Sequence, residues 1–296
     1  MPRKKFPIYQ IGQVADKWKK SGLLTVSRFG DYLKENHFVH GVHKHSFYHF
    51  VFFTGGSGKH VIDFEQFTVK KGMIYFMRPG QVHTWQFKGT PEGYIVNFSA
   101  ELFQDLLMNT TLITRFPFFH AGADVVNQVM ILPDATQEKV TALMESMVSE
   151  HISDNTRKEL MIALLLLELF ILVEREYQQT PTLPGQQYNS TILQNFQQLI
   201  EENFASLRLP KEYAALLYVT PSHLNALTKE FTGMSAGELI RNRVLLEAKR
   251  LLVNLDLTIN EISGLLNFSD SAYFTRFFKK YTGQTPEAFR NRNRQR

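Results

Sequence analysis

Four histidines in the first third of the chain are spaced in a way that could bind a metal ion or a polar ligand. His43 and His45 lie two residues apart in the run HGVHKHSFYHF, so on a strand they would share one face. His49 follows four residues later, and His83 lies in the run GMIYFMRPGQVHTW. Neutral imidazoles ligate Zn, Fe, Ni or Cu ions and also hydrogen-bond organic ligands. The residues alone therefore leave a metal site and a ligand pocket open.

A second set of residues, near the C-terminus, could contact DNA. Small and polar side chains let a helix approach base edges, and longer cations beyond them reach phosphates. The residues predicted to do so on two separate helices are Ser222, His223, Asn225, Ala226 and Lys229, and then Ser271, Ala272, Thr275, Arg276, Lys279 and Lys280.

These polar residues belong to a duplicated segment. Glu212–Gly233 recurs as Glu261–Gly283, with a spacing of about 50 residues and one residue inserted after the turn. Each copy predicts a short helix, a tight turn and a longer helix. Thr220 before Pro221 predicts one helix start, and Thr258 with Glu261 predicts a capping box at another.

A single helix is predicted to join the two copies. The run SAGELIRNRVLLEAKRLLVNL opens with a second capping box, Ser235 and Glu238, and continues with apolar residues at helical spacing. The C-terminal third is thus predicted to be an all-α domain in which two helix-turn-helix motifs are joined by a linker helix.

Composition and charge agree with a DNA-binding protein. Of the net charge of +5 over 296 residues, +4 lies beyond residue 188, where 14 Lys and Arg face 10 Asp and Glu. There are no cysteines, which excludes disulfides and thiolate metal sites and agrees with a reducing compartment such as the cytoplasm. Neither a signal peptide nor a membrane span is indicated, because the most apolar run has 13 residues and contains Glu168.

The N-terminal half reads as short strands followed by long helices. Segments such as LLTVSRF, FYHFVFF, KHVIDF, MIYFM and GYIVNF are separated by glycine-rich runs such as GGSGKH, a pattern typical of a small antiparallel barrel or sandwich. Two long helices follow, and the second is apolar nearly all round. It must be buried against its own domain or against a partner chain, and both remain open.

The C-terminal third resembles the AraC/XylS family of bacterial transcription activators. The run LLNFSDSAYFTRFFKKYTGQTPEAFR, its weaker upstream copy and the helix with LLEAKRLL carry the resemblance. It implies that the two second helices enter successive major grooves, about 34 Å apart, and adds Arg241 and Arg290 to the predicted DNA contacts. Ala226 departs from the family pattern, which more often has a long polar residue there.

The histidine-containing half resembles the cupin barrel, whose two motifs hold a divalent metal. Here His49 stands where a glutamate is expected and Arg78 where a proline is expected. The sensor barrels of AraC-like regulators bind a small effector instead, which is the interpretation we prefer. The predicted effector pocket, on strands that combine polar tips with flat apolar faces, contains His45, His49, Tyr75, His83, Trp85 and Asn97. The alternative metal site contains His43, His45, His49 and His83.

These observations predict a two-domain α+β transcription regulator, not an enzyme, without a cofactor. Residues 15–178 are predicted to form a cupin-like antiparallel β-barrel with a helical dimerisation segment, 179–188 a linker, and 189–296 the DNA-binding domain. The expected partners are double-stranded DNA, RNA polymerase, an effector such as a sugar or metabolite, and a second copy of the chain. An effector-independent regulator and a metal-dependent cupin enzyme with a DNA-binding tail are the alternatives.

Overall fold

The computed structural model describes residues 8–11, 22–36, 41–103, 113–114, 116–119, 128–177, 186–253 and 256–294. The chain divides into two compact units, the first from Pro7 to Pro181 and the second containing Thr182–Arg296. The first unit is built on a β-sheet, and the second is helical.

The N-terminal unit contains an eight-stranded sheet among its described residues. The hydrogen-bonded order is β1-β3-β7-β4-β6-β8, with β2 paired to β7 and β5 paired to β4. Every pairing is antiparallel except that of β1 with β3, which is parallel. The strands are β1 Ile8–Tyr9, β2 Leu24–Arg28, β3 His43–His45, β4 Tyr48–Ile62, β5 Glu65–Val69, β6 Met73–Met77, β7 Val82–Phe98 and β8 Val129–Ile131.

The predicted closed barrel is not what the described strands form. No hydrogen-bonded pairing joins the ends of the path, β1 and β8, among these residues, so the sheet is open. The unit also begins earlier than the predicted residue 15, because β1 pairs with β3 through Ile8 and Tyr9. The prediction of an N-terminal β domain is confirmed at the coarser level of a mainly antiparallel sheet.

One long strand replaces two predicted strands. The run GGSGKH was expected to be a break, but β4 continues through it and pairs with β7 on both sides. The register shifts between Phe53 and Ser57, where the strand bulges. Gly56 has φ +95°, and a Cβ there would lie 2.8 Å from the backbone of Pro91. Glycine here lets the strand change register without ending.

The sheet separates two apolar clusters. Alternate residues of β4 face opposite sides, so Phe50 and Phe52 pack in one cluster and Val51 and Phe53 in the other. The first cluster includes the buried faces of two long helices, α2 (Asp134–Ile152) and α3 (Lys158–Tyr177). The second surrounds the polar side chains described below. A short helix, α1 (Phe29–Glu35), and a 3-10 turn, Ala100–Phe103, complete the described elements of this unit.

Helix α3 has two different apolar faces. Ile162, Leu166 and Phe170 are fully buried within the unit. Leu164 and Ile171 point outward and are 47% and 42% exposed. Its own domain therefore buries one face and leaves an apolar stripe on the other. Among the described helices, none has the length and apolarity needed to cross a membrane.

The C-terminal unit contains seven helices among its described residues. They are α4 Gln186–Asn203, α5 Pro210–Leu216, α6 Pro221–Thr232, α7 Ala236–Leu252, α8 Ile259–Leu265, α9 Ser271–Thr282 and α10 Pro286–Arg294. Helix α4 begins at Gln186, three residues before the predicted domain boundary at 189 and inside the predicted linker. Residues 178–185 of that linker lie outside the described residues.

The helix starts follow the capping residues identified in the sequence. Thr220 Oγ1 accepts a hydrogen bond from His223 N, and Ser235 and Thr258 form capping boxes with Glu238 and Glu261. Each side-chain acceptor satisfies a backbone N–H that the first helical turn leaves unpaired. The local chemistry of the sequence thus sets where these helices begin.

Candidate functional site

The two copies of the repeat form matching helix pairs, α5–α6 and α8–α9. Both turns contain a residue in the left-handed region, Tyr218 at φ +56° and Asn267 at φ +55°. Both second helices end at a left-handed glycine, Gly233 or Gly283. The copies therefore agree in backbone conformation as well as in sequence.

The second helices expose the same positions. At an offset of 50 residues, the exposed pairs are Ser222 with Ala272, His223 with Tyr273, Ala226 with Arg276, Lys229 with Lys279, and Glu230 with Lys280. The opposite faces are buried through Leu224 and Leu227 in α6 and through Phe274 and Phe278 in α9. Each helix thus presents one solvent-facing surface along its length.

Two predicted DNA contacts are engaged inside the domain. Arg290 donates from Nε and Nη2 to the carbonyl oxygens of Leu252 and Leu257, at 3.2 and 2.7 Å. The Arg241 guanidinium lies 4.4 Å from the ring centroid of Tyr281 and 3.9 Å from Glu238. These contacts hold the end of α7 and join α7 to α9, so a DNA contact by either arginine would have to give up an interaction inside the domain.

Three further predicted residues lie at the edge of the exposed surface. Asn225 Oδ1 accepts a hydrogen bond from Ala236 N at 3.0 Å, which ties α6 to the start of α7. Thr275 Oγ1 donates to the carbonyl of Ser271 at 2.7 Å, and both residues are partly buried. Thr275 and Ser271 could still contact bases through their outer atoms, whereas Asn225 would have to give up a structural bond.

Tyr273 was missed by the sequence reasoning. It is 49% exposed on α9 and occupies the position equivalent to His223 in the first copy. Its ring also packs edge-on against Phe268, 5.6 Å between centroids. The 50-residue offset that aligns the second helices was a sufficient signal to include it.

In the N-terminal unit, all six residues predicted for the effector pocket are brought together in one buried network. His49 Nδ1 lies 2.6 Å from Asn97 Oδ1, and His49 Nε2 lies 3.1 Å from the hydroxyl of Tyr75. Trp85 Nε1 donates to the same hydroxyl at 3.2 Å. His45 and His83 approach each other through their Nε2 atoms at 2.8 Å.

His60 is a further member that the sequence reasoning missed. It is fully buried on β4, and its Nε2 lies 3.0 Å from His83 Nδ1. A signal was present, since His60 and Ile62 lie two positions apart on the same strand and both face the sheet's second cluster. His60 lies where the predicted break GGSGKH overlaps the predicted strand KHVIDF, and it was not included among the pocket residues.

Burial keeps these histidines neutral. It lowers the pKa of His43 to about 4 and that of His49 to about 3. It also lowers the pKa values of His45, His60 and His83 well below the ordinary value of 6.5, and the neighbouring imidazoles add to the effect. Each ring therefore has one N–H and one lone pair at neutral pH.

Three buried imidazole nitrogens in this network have no hydrogen-bond partner in the structure. They are His43 Nε2, His45 Nδ1 and His60 Nδ1. Buried polar atoms are nearly always paired, so a cluster of unpaired ones indicates a place for a ligand or water. The six predicted pocket residues and these atoms form one polar interior.

The structure groups three of the four histidines predicted for the alternative metal site. One imidazole nitrogen from each of His43, His45 and His83 lies within 4.8 Å of the other two. His49 is not in this group, because both of its nitrogens lie at hydrogen-bond distance from Asn97 and Tyr75. The four-histidine set predicted from the sequence is therefore reduced to three.

An open cleft of about 300 Å³ lies elsewhere in the same unit. Arg28 on its wall pairs with Glu145 at 2.6 Å, and the hydroxyl of Tyr94 donates to the same carboxylate. The cleft is lined by Arg28, Gly30, Asp31, Thr54, Thr90, Pro91, Glu92, Gly93 and Tyr94. Because Arg28 is already paired and the unpaired imidazole nitrogens lie in the polar interior, that interior is the stronger candidate for a ligand site.

Family models match both units of the chain. Residues 30–170 match the model of an AraC-like ligand binding domain, and residues 213–292 match that of a helix-turn-helix domain. The chain belongs to the AraC family of transcription regulators. This confirms the family that the sequence motifs indicated.

Relatives align with most of this AraC-family chain. The Msm operon regulatory protein of Streptococcus mutans is 24% identical over 270 residues, which cover 88% of this chain and 86% of that protein. The HTH-type transcriptional activator RhaR of Escherichia coli is 25% identical over 262 residues, 87% of this chain and 89% of RhaR. In the solved structure of ToxT from Vibrio cholerae, the match covers 90% of this chain and 96% of ToxT, with 11% identity and a TM-score of 0.44. The two models and the first two relatives are of regulators, which confirms the prediction of a regulator and not an enzyme.

Proposed function

We propose that this AraC-family regulator reads DNA with two helix-turn-helix motifs, α5–α6 and α8–α9, under the control of an effector bound in its N-terminal unit. The observation that carries the DNA-binding part is the matched exposure of α6 and α9. Both present small residues near the N-terminal end and cations further along, the order in which a recognition helix meets bases and then phosphates.

The two motifs are expected to enter successive major grooves on one face of the duplex, about 34 Å apart. Contacts inside the C-terminal unit support a fixed spacing. Arg208, which precedes α5, lies 4.6 Å from the Phe268 ring centroid and donates to the carbonyl of Leu266 in the other motif. One copy of the chain would thus read an asymmetric site with two parts.

The second motif is expected to bind more strongly than the first. The exposed face of α9 carries three cations, Arg276, Lys279 and Lys280. The corresponding face of α6 carries Lys229 beside Glu230, whose charges cancel. Because phosphate neutralisation dominates affinity, α9 would supply most of the binding and α6 would refine the choice of site.

A randomised-oligonucleotide selection tests the DNA-binding proposal directly. The full chain and a fragment of residues 186–296 are selected at moderate ionic strength, and we expect both to enrich a motif whose two halves are about one helical turn apart. Enrichment of no sequence by either protein would contradict the proposal.

Arg276→Ala and Lys279→Ala are expected to weaken DNA binding in different ways. Arg276 lies near the middle of the exposed face, where an arginine reaches a guanine edge, so its loss should cost about 1–3 kcal/mol at one base pair and relax specificity there. Lys279 lies one turn further on, and its loss should weaken all sites alike and reduce the salt dependence by about one counterion.

Titrations of selected and single-mismatch sites at several salt concentrations measure both effects. Glu287→Ala, an exposed change on α10, serves as the control and should leave the affinity nearly unchanged. Equal, sequence-independent losses from the two test variants would show that the division between base and phosphate contacts is wrong.

The effector is proposed to bind in the polar interior of a cupin-like sensor. The support is the hydrogen bond of His49 with Tyr75, the stacking of the His49 ring on His45, and the unpaired imidazole nitrogens beside them. A ligand that binds one arrangement of the regulator better than another shifts the population toward that arrangement. Such a shift would change the recruitment of RNA polymerase, and the similarity to the activator RhaR favours activation.

A second copy of the chain is proposed to cover the exposed face of α3. Leu160, Leu164, Leu167 and Ile171 follow helical spacing, and three of them are among the exposed large apolar residues. A stripe of this kind, repeated on two identical chains, fits a two-fold helix-mediated dimer.

Leu164→Glu is therefore expected to convert the dimer into a monomer. The residue is half-exposed, so the charge costs the isolated unit little but would be buried at the interface. Analytical ultracentrifugation should show a fall from twice the chain mass to the single-chain mass. Lys59→Glu, on an exposed position of β4, is the control and should stay dimeric. A wild-type protein that sediments as a monomer at all concentrations would overturn the dimer.

A further inference from the structure

We infer that His43, His45 and His83 form a binding site for one divalent transition-metal ion, with His60 as a positioning residue. The inference deepens the sensor proposed above, because it names the chemical class of an effector. It depends on how three side chains from two paired strands converge. His43 lies opposite His83 in the pairing of β3 with β7, and His45 lies two residues further along β3.

The geometry of the three rings is close to that of a metal site. Their centroids are 4.2 Å apart for His43 and His83, and 4.8 Å apart for each of the other two pairs. All three side chains are buried. Metal–nitrogen bonds of about 2.0–2.1 Å place ligand nitrogens roughly 3 Å apart. The observed nitrogens all lie within 4.8 Å of one another. Metal binding therefore requires side-chain shifts of about 1 Å and no change of strand register.

The donor set selects among metals. Three neutral imidazoles, without a carboxylate among the grouped residues, suit Zn²⁺, Co²⁺, Ni²⁺ or Cu²⁺ better than Mg²⁺ or Ca²⁺, which prefer oxygen. Burial holds these histidines in the neutral form that can ligate, because it lowers their pKa values. At neutral pH these rings therefore carry no extra proton that a metal ion would have to displace.

Outer contacts already orient two of the three rings. His43 Nδ1 lies 2.7 Å from the carbonyl of Gly41, so that nitrogen carries the proton and Nε2 has a free lone pair. His83 Nδ1 lies 3.0 Å from His60 Nε2. Metal-binding histidines commonly use the second nitrogen in this way, and the partner fixes the ring. His43 Nε2, unpaired and buried, is left with no other role in the described structure.

Metal would also relieve the contact between His45 and His83. Their Nε2 atoms lie 2.8 Å apart, where one must donate and one accept. An ion between them would take both lone pairs once the shared proton has moved to the second nitrogen of His45, which is unpaired here. The ring centroid of Tyr9 on β1 lies 5.3 Å from that of His43 and 6.3 Å from that of His45. Movement of these two histidines on metal binding would therefore affect the edge strand of the sheet.

The test uses the full-length chain without an affinity tag, stripped of metal by a chelator. Calorimetric titration with Zn²⁺ and with Co²⁺ should show one ion bound per chain, and the Co²⁺ complex should show visible absorption bands of nitrogen coordination. His43→Gln and His83→Gln should weaken binding at least about 100-fold, and His60→Gln by about tenfold. His151→Gln on α2 is the matched control, since it is a buried histidine outside the polar interior, and should bind within about threefold of wild type.

A second measurement keeps the outcome independent of how the variants fold. X-ray absorption of the wild-type Zn²⁺ complex should show histidine scattering with no sulfur, and circular dichroism should confirm that the metal-free variants keep their secondary structure. Absence of stoichiometric binding by wild type, or an equal loss in His151→Gln and His43→Gln, would overturn the metal site. A thermal-shift screen with sugars and metabolites on the same protein separates the two proposals: a hit without metal binding leaves the sensor standing and removes only the ion.

Discussion

Replacing Phe170 with alanine is expected to lower the free energy of unfolding of the N-terminal unit by about 4 kcal/mol. The side chain is fully buried on α3 at the centre of an aromatic cluster. Seven described phenylalanine rings have centroids between 5.3 and 6.5 Å from it: Phe50, Phe76, Phe98, Phe103, Phe116, Phe118 and Phe119. These rings come from the sheet and from the segments that follow it, whereas Phe170 comes from α3. Because several elements meet here, neighbouring side chains cannot collapse fully into the cavity.

Tryptophan fluorescence in urea measures this change selectively. The two tryptophans of the chain, Trp18 and Trp85, both precede residue 182 and so report on the N-terminal unit. The control is Arg175→Ala, an exposed change on the same helix, for which a loss below about 0.5 kcal/mol is expected. A loss below about 1 kcal/mol for Phe170→Ala would mean that α3 does not hold the sheet as the structure describes.

The sequence anticipated features whose causes are local. Thr220, Ser235 and Thr258 cap helices as predicted, because a cap depends on residues within one turn. The repeat identified α6 and α9 because both copies use the same apolar spacing to bury one face. Two long helices were also predicted after the strands, and α2 and α3 are found there.

Features that depend on distant partners were not predicted. The GGSGKH run is continuous strand because β7 pairs with it on both sides, which no local pattern reveals. His60 was overlooked for the same reason, since its importance comes from His83, which lies 23 residues away. Arg290 was assigned to DNA from a family resemblance, whereas its guanidinium satisfies carbonyls about 35 residues earlier in the chain.

For the effector pocket, the sequence predicted which residues lie together but not which hydrogen bonds they form. All six predicted side chains meet, as expected from strands whose alternate residues face one side. Their bonding was not predicted: Asn97 and Tyr75 contact both ring nitrogens of His49, whereas Nε2 of His43, from the alternative metal set, is unpaired. The sequence alone could not separate the His49 and His43 roles.

Arg243→Ala is expected to lower the stability of the C-terminal unit by about 3 kcal/mol. The side chain, 11% exposed, extends from α7 and donates to Glu201 on α4 at 2.7 Å and to Glu247 at 2.9 Å. Its guanidinium also lies 4.0 Å from the ring centroid of Phe204. Alanine would remove the cation that both of these poorly solvated carboxylates share, while Arg250 would stay 3.4 Å from Glu247.

Unfolding followed by far-ultraviolet circular dichroism measures the loss, and tryptophan fluorescence of the same samples should show an unchanged N-terminal transition. Arg241→Ala is the matched control: it lies on the same helix, is more exposed and has a distant ion pair, so less than about 1 kcal/mol is expected. Adding Glu201→Gln to Arg243→Ala should restore part of the stability, because it removes one of the two carboxylates whose charge Arg243 balances. If Arg243→Ala instead reduced DNA affinity at full stability, the arginine would have to be a DNA contact, and the packing of α4 on α7 would not depend on it.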